Sequence, residues 1–196
     1  MPPSLASSSR TPVAAAFRPA LRVRRISHGM VWACRALLVL LPVAFAAYWV
    51  VASDAQLLAL SQLPAQVIPS VASLAPWQRL VGGVVMAVPL GLLLVGVWHA
   101  QRCFARFAQG QVFTAEATAR LRRFAGWVAA AALGALLAGV VASVVLTWNN
   151  PLGQRHLAIG IGSDHVFTLF FAGLVWLMAA VIGEGQALAE ENQGFV

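Results

Sequence analysis

Residues 124–147 read FAGWVAAAALGALLAGVVASVVLT, 24 consecutive residues without one charge. As a helix rising ~1.5 Å per residue this stretch covers ~36 Å, more than the ~30 Å hydrocarbon core of a bilayer. Three more apolar blocks accompany it, at about 31–52, 81–100 and 165–183. The first carries Arg35 near its start and Pro42; the second carries Pro89 at its middle. Arg35 is close enough to the block's end to snorkel to water. A cleaved secretory signal is the rival reading of the first block, since Val51-Ala52-Ser53 resembles a cleavage site. The block exceeds a 7–15-residue signal core and starts far from Met1, so a retained helix is expected.

Of the 196 residues 60% are hydrophobic and 10% charged, against roughly half and a quarter in soluble domains. The expected fold class is therefore an all-α integral membrane protein, a bundle of four transmembrane helices over residues 28–196, preceded by a disordered Arg-rich cytoplasmic tail, residues 1–27. Net charge is +7 and every basic residue other than His is Arg. These arginines flank apolar blocks rather than forming a stripe interleaved with aromatics, so no direct nucleic-acid binding is expected. They concentrate in the tail and between 101 and 123, whereas the other two loops hold only Arg79 and Arg155. The positive-inside rule then places both termini and the middle loop in the cytoplasm, the bacterial inner membrane being the expected site. The two cysteines, Cys34 and Cys103, lack metal-site or disulfide spacing and read as small buried apolar residues.

Within the middle loop, Gly110-Gln111-Val112-Phe113-Thr114 reads as a turn into a helix, with Thr114 as N-cap and Glu116 in the first turn, where the helix dipole favours an anion. That helix should run unbroken into the third block. Between the first two blocks Pro64, Pro69 and Pro76 preclude a long helix, and residues 71–77 are expected to lie on the membrane surface with Trp77 at headgroup depth. Asn149-Asn150-Pro151 ends the third helix, Gly153, Gly160 and Gly162 keep the next stretch irregular, and Ser163 or Asp164 caps the fourth.

Helix association in lipid relies on small residues that allow close approach. Gly83, Ala87 and Gly91 form one ladder at four-residue spacing; Ala131, Ala135, Gly139 and Ser143 form another. They predict that the second and third spanning helices pack closely, together or in a homo-oligomer. Trp32, Trp49, Trp98, Trp127 and Trp148 fall near span ends, the usual aromatic belt. Trp176 falls nearer mid-span and is expected in the core.

No ionisable residue is expected at the midplane of a span, where transporters ordinarily keep one. Glu184 should return to the cytoplasmic interface and pair with an arginine of the middle loop. His99 and His165 fall at opposite ends and cannot share a haem iron; His156, His165 and Asp164 make a weak metal site, and His28 reads as a solvated tail residue. Hydrolase, phosphate-loop, dinucleotide and zinc-protease motifs are absent. No enzyme activity and no cofactor are expected.

Gly110-Gln111-Val112-Phe113-Thr114, followed by Arg120-Leu121-Arg122-Arg123-Phe124-Ala125-Gly126-Trp127, resembles a segment of a bacterial four-helix membrane family, domain of unknown function 2975. The ending is also similar: Ser163-Asp164-His165, then Glu184-Gly185 and Leu188-Ala189-Glu190-Glu191-Asn192-Gln193-Gly194-Phe195-Val196. The resemblance implies the same topology and no known activity. Some members are encoded beside small helix-turn-helix regulators, which implies a role in holding or inhibiting a cytoplasmic protein partner. The residues expected to meet it are Phe113, Thr114, Glu116, Arg120, Arg122, Arg123, Glu184, Glu190 and Glu191, unless the basic loop and acidic tail simply bind each other. The alternative expectation is a small transporter or channel subunit, with Pro89 as hinge and Glu184 or His99 at the inner mouth; a polar cavity between the helices would favour it.

Overall fold

A computed structural model describes residues 21–60, 73–111, 114–149 and 157–194, the side chains of 21–23, 60 and 189–194 excepted. Its elements are α1 (Leu21–Val51), α2 (Asp54–Leu60), α3 (Pro76–Ala108), α4 (Ala115–Leu146) and α5 (Ser163–Gly194). Four of them, all but α2, are long and apolar enough to cross a membrane. The protein is an all-helical membrane bundle. Residues 1–20 of the expected tail, with Pro64, Pro69, Phe113, Pro151, Gly153, Arg155 and His156, lie outside the described residues; α1 already begins at Leu21, inside the stretch read as tail.

Each long helix outruns its apolar block. α3 continues to Ala108 through Arg102 and Arg106, and α4 starts at Ala115. Lipid dictates where the apolar residues stop, while Ala, Arg, Gln and Glu are good helix formers that carry the helix on into water. The connection between α3 and α4 is tight. Gln111 N–H reaches back to the Arg106 carbonyl at 3.0 Å across Gly110, whose φ of 87° is left-handed, a conformation that favours glycine. Thr114 then caps α4, its hydroxyl accepting from Ala117 N–H at 3.3 Å.

The helices neighbour one another in the order α1, α3, α4, α5, with α2 tucked against α4. The α3–α4 seam is the core, and it is made of small side chains. Gly96 leaves so little room that a Cβ there would sit 3.3 Å from Trp127 Cβ and 3.6 Å from the Phe124 carbonyl oxygen. Gly134 stands opposite in the same way, its missing Cβ 3.2 Å from Leu92 and 3.7 Å from Pro89. Ala125, Ala132, Ala138 and Ala142 of α4 are buried, and Cys103 donates its thiol hydrogen to the Ala117 carbonyl at 3.6 Å. Cys34 is buried beside Val97 and Ala100, joining α1 to the seam.

Close α3–α4 packing is thus found, with one of the two ladders displaced. Ala131, Gly139 and Ser143 are buried and Ala135 is partly buried, so the α4 ladder faces protein. On α3 the contact row is Gly82, Pro89, Leu92 and Gly96, a spacing of seven, three and four residues rather than four throughout. Gly83 instead makes room for the Trp49 indole of α1, whose Nε1 would lie 2.7 Å from a Cβ there, and Gly91 has nothing within 4 Å. In a helix apolar on every side, composition does not distinguish adjacent faces.

The sequence between α1 and α3 builds a small cap. Leu57 and Leu58 of α2 are fully buried, Leu58 packing with Ala142 and Leu146 of α4. Asp54 accepts from Leu74 N–H at 3.1 Å and faces Arg79 at 3.8 Å; Arg79 also donates to the Ala52 carbonyl. Residues 73–75 are irregular and Trp77 lies in the first turn of α3, so the expected surface piece around Trp77 is instead the start of a spanning helix.

Gly96→Leu should lower the thermal stability of the purified protein by several degrees, as overpacking costs about 1–3 kcal/mol. Gly91→Leu, with the same gain in helix propensity, should leave the melting temperature unchanged in the same detergent.

Candidate functional site

Two polar ends and a third polar cluster interrupt the apolar bundle. At the end opposite the Arg-rich loop, the last carbonyls of α4 would have no partners in the helix. Gln78, fully buried at the start of α3, donates to the Val145 and Leu146 carbonyls at 3.0 and 3.1 Å. Its amide oxygen accepts from Ala75 N–H at 2.9 Å and from the Asn149 amide at 3.0 Å. One side chain therefore closes the start of α3 and the end of α4 together. Nothing in the sequence pattern singled out Gln78; only its position two residues after Pro76, at a helix start, hinted at a capping role.

At the Arg-rich end Glu116 holds two elements together. Its carboxylate lies 2.6 Å from Arg106 of α3 and 2.5 Å from Arg120, one turn along α4. The Arg120 hydrogen bond, with Arg106 beside it, keeps the Glu116 carboxyl below its ordinary pKa of 4.5. Residues 115–123 precede the uncharged stretch of α4, so this cluster sits at the water-facing end of the helix. Arg122 points elsewhere, its guanidinium 5.1 Å from the Trp176 ring of α5. Trp176 is half exposed and level with this rim, which corrects the expectation that it packs mid-span in the core. Arg123 is exposed.

Of the remaining residues singled out in the sequence, Thr114 is the cap already described. Glu184 is exposed and, among the described residues, in no ion pair, so the expected bridge to the middle loop is not formed. The side chains of Glu190 and Glu191 lie outside the described ones, although α5 continues to Gly194. Gly183 packs by Thr118, where a Cβ would be 3.6 Å from the methyl group. Beyond it α5 runs 11 further residues, ~16 Å at helical rise, past the start of α4.

The third polar cluster, with His165 largely buried and Asp164 exposed, was not expected. Asp164, His165 and Thr168, in the first turns of α5, share a cavity of about 250 Å³ with Pro89 and Leu93 of α3 and Ala131 and Ala135 of α4. Pro89 lies 13 residues into α3 (76 to 89) and Ala131 16 residues into α4 (115 to 131), each roughly 20–24 Å along a helix. The N-terminus of α5 therefore lies alongside the middle of α3 and α4, a placement that its position at the start of an apolar block did not indicate. The reason is the preceding backbone: residues 157–162 are in no helix, and Ala158 N–H donates to Ser143 Oγ at 3.1 Å. Along that stretch Leu157, Ile159 and Ile161 point outward while the alternating Ala158, Gly160 and Gly162 face inward, a period of two. His165 Nδ1 lies 3.2 Å from the Asp164 carboxylate, and Thr168 donates to the Asp164 carbonyl at 2.7 Å. Pro89 removes one hydrogen bond from α3 at the same level. His99 is buried in the α3–α4 seam with its ring 5.0 Å from that of Trp98. Among the described residues no three His, Cys, Asp or Glu side chains converge to hold a metal ion.

Glu116→Gln should loosen the α3–α4 turn. A carboxyl whose folded pKa is depressed contributes stability above its unfolded value and loses that contribution as pH falls through the folded one. Melting temperatures measured from pH 7 downward should therefore fall below pH 4.5 more steeply for the natural protein than for Glu116→Gln.

No curated protein and no solved structure matches the chain. One family does, described as Protein of unknown function (DUF2975), over residues 59–194. That range takes in the last residues of α2, all of α3, α4 and α5, the Glu116 cluster and the Asp164–His165 cavity. The chain belongs to this family.

Proposed function

We propose that the protein is a non-catalytic multi-pass protein of the bacterial cytoplasmic membrane, with both termini in the cytoplasm, that docks a cytoplasmic protein through the 101–123 region and the end of α5. The observation that carries this reading is the length of α5, which continues as a helix to Gly194, ~16 Å beyond Gly183. The sequence of this extension, Leu188-Ala189-Glu190-Glu191, sets two acids beside apolar residues. A helix of that kind is a common recognition element. The orientation is supported by the charge distribution: Arg35, Arg102, Arg106, Arg120, Arg122 and Arg123 gather at one end and Arg79 at the other, as the positive-inside rule requires.

A second reading is favoured by the Asp164–His165 cavity. His165, whose side chain is largely buried, lies beside a proline-interrupted helix and in the first turn of another, and ionisable groups so placed are how small transporters hold an ion or proton. Under that reading Pro89 and His165 act together at mid-depth, and neither Glu184 nor His99 is a gate.

Pull-down from native membranes separates the two. The intact chain should retain a soluble protein that is lost both when the chain ends at Gly185 and when Arg120, Arg122 and Arg123 are changed to Ala, each variant still inserting. No retained protein, together with dissipation of an imposed pH gradient by vesicles holding the natural chain and not by Asp164→Asn/His165→Ala, would replace the first reading with the second.

A further inference from the structure

Between α1 and α3, at the Arg-rich end, two adjoining hollows of about 290 and 260 Å³ share Val31, Arg35, Ala105 and Gln109. Five arginines border them: Arg24 and Arg35 from α1, Arg102 and Arg106 from α3, and Arg120 from α4. Among the described residues one carboxylate serves this group, Glu116, and it is occupied by Arg106 and Arg120. Arg24, Arg35 and Arg102 form no ion pair among the described residues. The groove thus holds an uncompensated positive charge whose repulsion an anion would relieve.

The positions of two of these arginines say what kind of anion. Arg35 stacks on Trp32 at 5.2 Å and Arg102 on Trp98 at 4.2 Å from the ring centroid. Both rings are exposed, Trp32 by 67% and Trp98 by 40%, on helices whose outer faces are apolar, which is where indoles settle at a membrane–water boundary. Stacking fixes each guanidinium plane and leaves its N–H edges free to donate in pairs to phosphate oxygens. From Arg102 the same face of α3 continues through Trp98 and Val95 to Gly91, all exposed, with open space above Gly91. A ligand with its phosphate at the arginines would have an apolar path for its tail along that face.

We infer that this groove is a binding site for the headgroup of an anionic phospholipid, the phosphate held between Arg35 and Arg102 and an acyl chain lying along the Trp98–Gly91 face of α3. A free phosphate shares the headgroup chemistry but would make no use of that face. The inference rests on the chain lying in a membrane and is independent of the docking of any protein partner.

The full chain, purified in a neutral detergent, is tested by native mass spectrometry and thermal shift with phosphatidylglycerol, phosphatidylcholine and inorganic phosphate as probes. Phosphatidylglycerol should bind and stabilise, and Arg35→Gln/Arg102→Gln should bind it roughly 30-fold more weakly, at about 1 kcal/mol per arginine. Arg122→Gln/Arg123→Gln removes the same charge outside the groove and should bind it as the natural chain does. Arg35→Lys/Arg102→Lys keeps charge and fold while losing the paired donors, and should also bind more weakly than the natural chain. Equal binding of phosphatidylcholine, equal loss in the Arg122/Arg123 variant, undiminished binding by the lysine variant, or the same stabilisation by inorganic phosphate would each overturn the assignment.

Discussion

Gly96 and Gly134 allow the backbones of α3 and α4 to meet with almost nothing between them, and the other features follow from that contact. Helices in lipid gain nothing from hiding apolar surface from water, so they hold together by close van der Waals contact and by hydrogen bonds that lipid cannot replace. The α3–α4 seam supplies the first along its length. Gln78 and the Gly110 turn supply the second at its two ends, satisfying helix-terminal groups that would otherwise be unpaired. With this hairpin rigid, α1 joins through Trp49 and Cys34 on one side and α5 through Gly183 and the segment that Ala158 ties to Ser143 on the other.

The hairpin also determines where chemistry can occur. Its water-facing turn gathers Arg102, Arg106, Glu116 and Arg120 from two helices into one cluster. Its outer face on α4 bears residues 157–162, which are in no helix, and that segment lets α5 begin beside Pro89 rather than at the membrane surface. Backbone that is not helical is tolerated at such depth where it is packed against protein or lines a cavity. Here Ala158 packs against α4, and Gly162 adjoins Asp164 and His165 at the cavity. The polar groups beside Pro89 thus come from the start of α5, after an irregular segment, and not from a charge within an apolar block.

This is also why some of the architecture was legible in the sequence and some was not. Four spans, the Thr114 cap, the Glu116 first turn and the buried α4 ladder all follow from local rules that one segment obeys by itself. The α3 ladder differs from the contact row because Gly82 and Gly83 are equally small and both lie against the Trp49 ring, and only Gly82 also reaches Leu146 of α4. The cap made by Leu57, Leu58 and Gln78 was hidden in a segment whose prolines signalled only interruption. Asp164 and His165 were read at the membrane surface because a helix start beside a glycine-rich loop ordinarily lies there. The depth of α5 depends on contacts with Ser143, 15 residues earlier, which no periodicity encodes.

The most direct test of the seam is disulfide formation in native membranes, in a chain whose Cys34 and Cys103 are changed to Ala. Cysteines at Gly96 and Val128, where a Cβ at 96 lies 3.5 Å from the Val128 side chain, should crosslink rapidly under mild oxidation, and cysteines at Gly91 and Val128 should not. Crosslinking of the second pair in preference to the first would contradict the packing on which this account is built.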